Sequence, residues 1–367
     1  MKIEKKVLVL IFSLLIFFGA VSINAQIEYK DYVNSPPITI YSNADFANYG
    51  ILGSGTESDP YVIENYNITG SGAYGIMIGD GVSAYFVIRN CLINGFDAGI
   101  IVSGASTPLV IIEDNIIYAS NNGIGVASTY QMAYIFRNTI IGATEGIAVV
   151  DSTEVAIVNN TITGGNFGIN LATIERGLIL NNTINVEQWG ISIDIEVQNT
   201  VICWNTITGF SEVAIGINGE SSDKEIYYHH NTAIAGEPSG LYATYGLQYY
   251  PNPNIYWYDP ETNEGNYWSD WSSTNPYPIK DPNGNTVAED PYPFTSPPVP
   301  TGSFPGIPNP PVQTTTSGTN TGTTNTSSEE TSETEDALTN PLTINISIPL
   351  LTIALLAISS IIVRKRL

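Results

Sequence analysis

Residues 144–165 read Thr-Glu-Gly-Ile-Ala-Val-Val-Asp-Ser-Thr-Glu-Val-Ala-Ile-Val-Asn-Asn-Thr-Ile-Thr-Gly-Gly. They hold three short runs: Gly-Ile-Ala-Val-Val, Glu-Val-Ala-Ile-Val and Asn-Thr-Ile-Thr. Each run is rich in β-branched residues and is bounded by Gly, Asn, Asp or Ser, as extended strands are. No stretch carries the i, i+3, i+4 spacing of an amphipathic helix. Three strands and three turns in about 22 residues describe one coil of a parallel β-helix, each strand pairing with its equivalent one coil up at ~4.8 Å.

The unit recurs. Asn65, Asn90, Asn115, Asn138, Asn160, Asn182, Asn205 and Asn231 follow one another at intervals of 25, 25, 23, 22, 22, 23 and 26 residues. A Gly-aliphatic pair runs in phase at Gly75, Gly99, Gly123, Gly146, Gly168, Gly190 and Gly240, with Ala214 in the one gap. Two markers in register mean a stacked structural unit. The reading is an all-β solenoid of about eight coils over residues 61–236. A leucine-rich repeat of similar length needs a helical segment and a Leu skeleton, and the sequence offers neither.

Each marker has a physical reason. Asn tolerates the left-handed backbone of a bend, and its stacked amides would donate to one another in a ladder. Gly suits a bend with φ > 0 or a packing site that excludes a Cβ. Three residues before each Asn stands Val62, Val87, Ile112, Ile135, Ile157, Ile179, Ile202 or Tyr228, an expected inward stack. One residue before the first four Asn stand Glu64, Arg89, Asp114 and Arg137, whose alternating signs would make an ion ladder.

The ends read differently. Lys2, Lys5 and Lys6 precede the apolar run 7–21, so residues 1–25 fit a secretory signal. Residues 342–363 are nearly all apolar, long enough to span a bilayer, and are followed by Arg364-Lys365-Arg366. The expected topology is a single-pass cell-surface protein with its N-terminal domain outside and residues 364–367 in the cytoplasm. Residues 297–341 form a Pro-, Ser- and Thr-rich stalk. Residues 26–60 and the aromatic-rich 237–296 are read as caps over open solenoid ends.

Charge and cysteines narrow the function. The chain carries −23, and residues 27–236 hold 21 acids against 5 bases. That disfavours nucleic acid and polyanionic glycans as partners. Cys91 and Cys203 fall five coils apart, roughly 24 Å at ~4.8 Å per coil, which excludes a bridge between them.

The stretch Gly53-Ser54-Gly55-Thr56-Glu57-Ser58-Asp59-Pro60-Tyr61-Val62-Ile63-Glu64-Asn65-Tyr66, preceded by Phe46 and followed by Asn-x-Ile-x-Gly repeats, resembles the NosD-type right-handed β-helix family. That is the carbohydrate-binding and sugar-hydrolysis (CASH) repeat family of the pectin-lyase-like fold. Gly265-Asn266-Tyr267-Trp268-Ser269-Asp270-Trp271 resembles a closing motif of archaeal secreted members, and the stalk, single helix and basic tail resemble archaeal cell-surface proteins. The resemblance covers residues 36–295. It implies a right-handed fold and leaves the activity open, because the repeat and not a catalytic set defines the family.

Three chemistries compete. Glycan hydrolases of this fold use clustered acids, and here Asp97, Glu145, Asp151, Asp194, Glu196 and Glu212 are spread over several coils. Asp151 and Asp194 sit at similar points two coils apart, near an inverting separation. Solvated turn acids are the bland alternative. For binding, Phe167 and Trp189 precede the repeat Gly in adjacent coils, beside Asn166 and Gln188, and would make a platform for a neutral sugar. The alternative is an aromatic ladder that only stabilises the coil stack. For metal, Asp281, Asn283, Asn285 and Asp290 alternate oxygen ligands as in a Ca²⁺ loop, against a plain Asn-Gly turn. The family's copper association finds only His229 and His230, which as strand neighbours would face opposite ways.

The expected function is a membrane-anchored, non-catalytic surface or adhesion module whose partner is a neutral polysaccharide or a surface protein. The alternatives are a polysaccharide hydrolase or lyase and, third, an accessory protein for metal delivery.

Overall fold

The computed structural model describes residues 32–128, 132–217, 225–234 and 244–299. By compactness the chain divides into residues 1–310 and 311–367, and all described residues lie in the first unit. The expected signal, most of the stalk, the membrane span, the basic tail and Gly240-Leu241 lie outside the described residues. Among the described residues no helix is long and apolar enough to cross a membrane.

The described residues form a parallel solenoid with three strands per coil. Sheet I stacks Tyr61–Glu64, Phe86–Arg89, Leu109–Glu113 and Met132–Phe136, and continues coil by coil to Ile255–Tyr256. Sheet II begins at Val33–Ser35 and runs up through Thr161–Thr163 to Tyr267–Trp268. Sheet III begins at Ile38–Ile40 and includes Trp189–Ile193, Val213–Ile217 and Thr244–Gln248. Residues 61–234 close about seven turns, not eight. The eight Asn bound only seven intervals, and partial coils lie below and above them. The one helix among the described residues is the four-residue α1, Asp45–Asn48. Its Phe46 is fully buried and stacks on Tyr61 at 4.2 Å, over the lower end of the core.

Inward residues are mostly β-branched because these fit a pleated, buried surface. The inward column of sheet I is Ile63, Ile88, Ile112, Ile135, Ile157, Ile179, Ile202 and Tyr228, every one at 0 % exposure. Val62 and Val87, expected in this column, are one residue out of phase with it: strand pairing aligns them with Ile111 on the outward side.

The same shift affects the first two Asn. At most corners the residue before the Asn takes the left-handed conformation: Asp114, Arg137, Asn159, Asn181, Trp204 and His230, with φ between 53° and 59°. In the first two coils Asn65 and Asn90 are themselves left-handed, at φ 60° and 52°. They occupy the bend position and not the amide column. Cys91 is the register equivalent of Asn115, and its backbone N–H donates to Asn115 Oδ1 at 2.9 Å. The column then climbs from Asn115 through Asn138, Asn160, Asn182, Asn205 and Asn231, each Nδ2 donating to the Oδ1 above at 2.9–3.0 Å. Asn266 adds an unforeseen rung at the top, and its Nδ2 also donates to the Tyr228 carbonyl. Every Asn in the column is at most 1 % exposed. A buried backbone bend must satisfy its polar groups, and the column does so.

The register shift also splits the expected ion ladder. Arg89 pairs with Glu64 at 2.7 Å, and Arg137 pairs with Asp114 and Glu113 at 2.8 and 2.7 Å. Arg89 is aligned with Glu113 rather than Asp114, so the four residues form two separate groups.

The Gly column exists for lack of space, without positive φ. A Cβ on Gly168 would lie 2.3 Å from the Gly190 carbonyl oxygen and 2.5 Å from Ile184 Cγ2, and Gly99, Gly123, Gly146 and Gly190 meet the same obstacle. One coil above Ala214 the equivalent position is Tyr245, not Gly240.

Candidate functional site

An open groove of about 430 Å³ along sheet III is lined by Asn121, Thr144, Glu145, Phe167, Asn170, Trp189, Ser192, Asp194 and Tyr249. Strand pairing explains it. One outward row runs Asn122, Glu145, Phe167, Trp189 and Val213, with Phe167 and Trp189 directly paired. The next outward row runs Gly125, Ala148, Asn170, Ser192 and Gly216. Large side chains form a wall, and the small ones beside them leave a trough.

Phe167 is half-buried. Trp189 is only 6 % exposed, and its indole N–H donates to Glu212 at 2.9 Å, so it is a wall of the groove and not an open stacking face. Asn166 and Gln188 lie outside the lining: their backbone groups carry the corner hydrogen bonds between coils. The amides that do face the groove are Asn121 and Asn170. Asn170 Nδ2 donates to Glu145 Oε1 at 3.1 Å, and Asn122 Nδ2 donates to Glu145 Oε2 at 2.8 Å. Glu145 is thus held at both oxygens. Asn170 Oδ1 is buried with no hydrogen-bond partner.

Glu145 and Asp194 are the carboxylates that line the groove. Glu145 is in register with Trp189 two coils up, and Asp194 lies five residues beyond Trp189. At ~4.8 Å per coil and ~3.3 Å per residue their Cα atoms are on the order of 19 Å apart, which two side chains cannot reduce to the ~9.5 Å limit of an inverting pair. Asp151 is not at a similar point to Asp194: it sits in the left-handed corner column with Ser128, Thr173 and Glu196, and Ser128 donates to it at 3.4 Å. Asp97 accepts from Ser120, and Glu212 from Trp189. Arg89, Arg137 and Arg176 are all engaged in ion pairs away from the groove.

The four residues of the expected Ca²⁺ loop do not converge. Asp281 closes the tip of an antiparallel hairpin, accepting from the N–H groups of Asn283 and Asn285 and from Asn285 Nδ2, and Gly284 turns at φ 83°. Asp290 pairs with Tyr277 at the base of the same hairpin. It is fully buried and accepts from Asn266 N–H, Trp268 Nε1 and Tyr292 N–H. This is an Asx-supported Asn-Gly turn. Burial pushes the Asp290 carboxyl up to about 6 against those donors.

His229 and His230 meet instead of facing apart. His230 is left-handed at the corner, which breaks the strand alternation, and the two Nδ1 atoms lie 2.6 Å apart. His230 Nε2 bonds Glu264 at 2.8 Å, and its ring stacks on Trp204 at 4.2 Å. Burial, reinforced by His230, holds His229 down at about 4. No group of three or more His, Cys, Asp or Glu that could hold a metal occurs among the described residues.

Residues 98–254, less than half of the chain, match the family model described as the right handed beta helix region. The solenoid is a right-handed β-helix. The chain matches no curated protein and no solved structure. The matched part of the β-helix includes the whole lining of the groove.

Proposed function

We propose that this β-helix is a non-catalytic surface module that binds a neutral glycan in the groove beside Phe167. The observation that carries the reading is an open trough that sets the aromatic faces of Phe167 and Tyr249 beside the polar side chains of Asn121, Asn170, Ser192 and Asp194. A sugar presents apolar C–H faces and outward hydroxyls. Phe167 and Tyr249 offer the apolar surface, while Asn121, Asn170, Ser192 and Asp194 offer polar groups of both kinds. The acidic balance of the chain suits an uncharged ligand better than an anionic one. The separation of Glu145 and Asp194 argues against hydrolysis in this groove.

The NosD-type likeness of residues 46–66 and the surface topology belong to the same proposal. A cleavable signal at 1–25, a span at 342–363 and caps at 26–60 and 237–296 complete it. Protease added to intact cells is expected to release the β-helix by cutting within residues 312–340. Retention of the domain after that treatment would contradict surface display.

The purified full chain on an array of neutral and charged glycans is expected to retain neutral oligosaccharides. Phe167→Ala and Asn170→Ala should each weaken retention at least about tenfold, the scale of ~1.4 kcal/mol. An array with no neutral hit, or hits unaffected by both substitutions, would sink the proposal.

A further inference from the structure

The corner between sheets I and II carries a second chemistry besides the amide column. Asn-x-Thr/Ser, with any residue but Pro between, is the acceptor pattern for N-linked glycosylation of an exported chain. Five such triplets occur: Asn67-Ile68-Thr69, Asn159-Asn160-Thr161, Asn181-Asn182-Thr183, Asn325-Thr326-Ser327 and Asn345-Ile346-Ser347. The last two lie outside the described residues. The fold discriminates among the other three.

The amide column is excluded by its own register. Two residues after each of its Asn from 115 to 231 stands an inward side chain of sheet II: Ile117, Ile140, Ile162, Ile184, Ile207 or Ala233, none more than 1 % exposed. A core residue there leaves the column Asn without the hydroxyl that the pattern requires. Strand alternation puts an outward residue two positions after the corner residue instead. That outward row is Thr139, Thr161, Thr183, Thr206 and Thr232. The corner residues two positions before them are Arg137, Asn159, Asn181, Trp204 and His230, all left-handed. Amide and outward hydroxyl therefore coincide at two corners in adjacent coils. Asn159, Thr161, Asn181 and Thr183 are all exposed.

The two corners are not equivalent. Asn181 Nδ2 donates to Asn159 Oδ1 at 2.7 Å, much as Asn67 Nδ2 donates to Asn34 Oδ1 at 2.9 Å. Asn159 Nδ2 donates to nothing among the described residues. A sugar on Asn159 Nδ2 leaves Oδ1 able to keep the bond from Asn181. A sugar on Asn181 would replace one hydrogen of the amide group that makes that bond. The strand Thr161–Thr163 stands between Asn159 and Phe167, so a glycan at this corner leaves the groove open.

We propose that Asn159 is a glycosylation site that carries an N-linked oligosaccharide on Nδ2. The co-reactant is an oligosaccharide joined through phosphate to a membrane lipid. The amide nitrogen bonds the anomeric carbon of the sugar. The bond from that carbon to the phosphate oxygen breaks, and its electron pair leaves with the lipid phosphate. The amide proton passes to a base of the transferring enzyme, and no atom changes oxidation state. The inference rests on the surface topology proposed above, because the donor meets exported chain.

Tryptic cleavage after Lys30, Arg89, Arg137, Arg176 and Lys224 puts the three described triplets in separate peptides, 31–89, 138–176 and 177–224. The full chain is purified from the cells that make it, in parallel with protease treatment of the intact cells, and its peptides are weighed by mass spectrometry. Peptide 138–176 is expected to exceed its sequence mass by whole sugar residues, with 31–89 and 177–224 at their sequence masses. Thr161→Val should return 138–176 to its sequence mass, and Thr161→Ser should keep the sugar. Thr161 is exposed, so both variants leave the core untouched. An unmodified 138–176 in a chain that protease releases from cells would overturn this inference alone. A chain that protease cannot reach would overturn the topology and this inference with it. Sugar on 177–224 instead of 138–176, or a mass excess that survives Thr161→Val, would overturn the assignment to Asn159.

Discussion

Asn160 shows how much one side chain carries. Its Oδ1 accepts from both the backbone N–H and the Nδ2 of Asn138, and its Nδ2 donates to the Ile135 carbonyl and to Asn182. Asn160→Ala would leave two or three buried polar groups unpaired, at ~1–3 kcal/mol each. A loss of about 3–6 kcal/mol in denaturant unfolding is expected, and a loss below about 1 kcal/mol would show that the column is ornamental. Tyr228 makes the opposite case. It fills the inward column at 0 % exposure and stacks on Trp257 at 4.5 Å, but its hydroxyl has no partner. Tyr228→Phe keeps the stacking and removes the orphan, so stability should rise by about 1 kcal/mol. A fall in melting temperature would mean that the hydroxyl is satisfied. The single-residue scale is also where sequence reading slipped. Asn suits both the left-handed bend and the amide column, so residue type alone did not separate Asn65 and Asn90 from Asn115. The error of one position then carried into Val62, Val87 and the ion ladder.

At the scale of the strand and its coil, the Gly column sets how closely sheets II and III approach. Gly168→Ala places a methyl 2.3 Å from the backbone oxygen of Gly190, which no rotamer change can move. Overpacking of a tight core costs about 1–3 kcal/mol. A drop of that size is expected for Gly168→Ala by thermal unfolding, and an unchanged midpoint would mean that the coils can part without strain. Strand number, parallel pairing and the phase of sheet III were legible because they rest on period, which survives local substitution. The groove was half legible. Phe167 and Trp189 were visible as paired aromatics. Asn121, Asn170 and Tyr249 were not, since they come from different coils and converge only through register. Tyr245 in the Gly column and the meeting of His229 with His230 were hidden for a related reason: irregular corners in the last coils break the repeat that made the rest readable.

At the scale of the whole molecule, two buried groups near the upper end of the β-helix set opposing pH dependences. His229 is held at about 4 against an unfolded value of 6.5. The unfolded chain binds the extra proton between those values, so this contribution grows as pH rises and is complete above about 6.5. Asp290 is raised to about 6 against 3.8. The folded chain holds the extra proton in that window, so this contribution is present below about pH 4 and is lost as pH rises to 6. Each amounts to about 3 kcal/mol at most, and together they flatten the native profile. Urea unfolding from pH 4 to 7 should show stability falling with pH in His229→Gln and rising with pH in Asp290→Asn. Parallel profiles for the two variants would refute the opposition. Asp290 also ends the amide column, accepting from both nitrogens of Asn266. The column therefore has a direction, like a sentence with an opening, interchangeable words and a full stop. Cys91 only gives, every Asn takes from below and gives above, and the carboxylate only takes. An Asp at an interior rung would end the sentence early, whereas excising one whole rung, such as residues 161–182, would rejoin Asn160 to Asn205 with its grammar intact. Length is thus a free variable of this architecture, and the final rung is not.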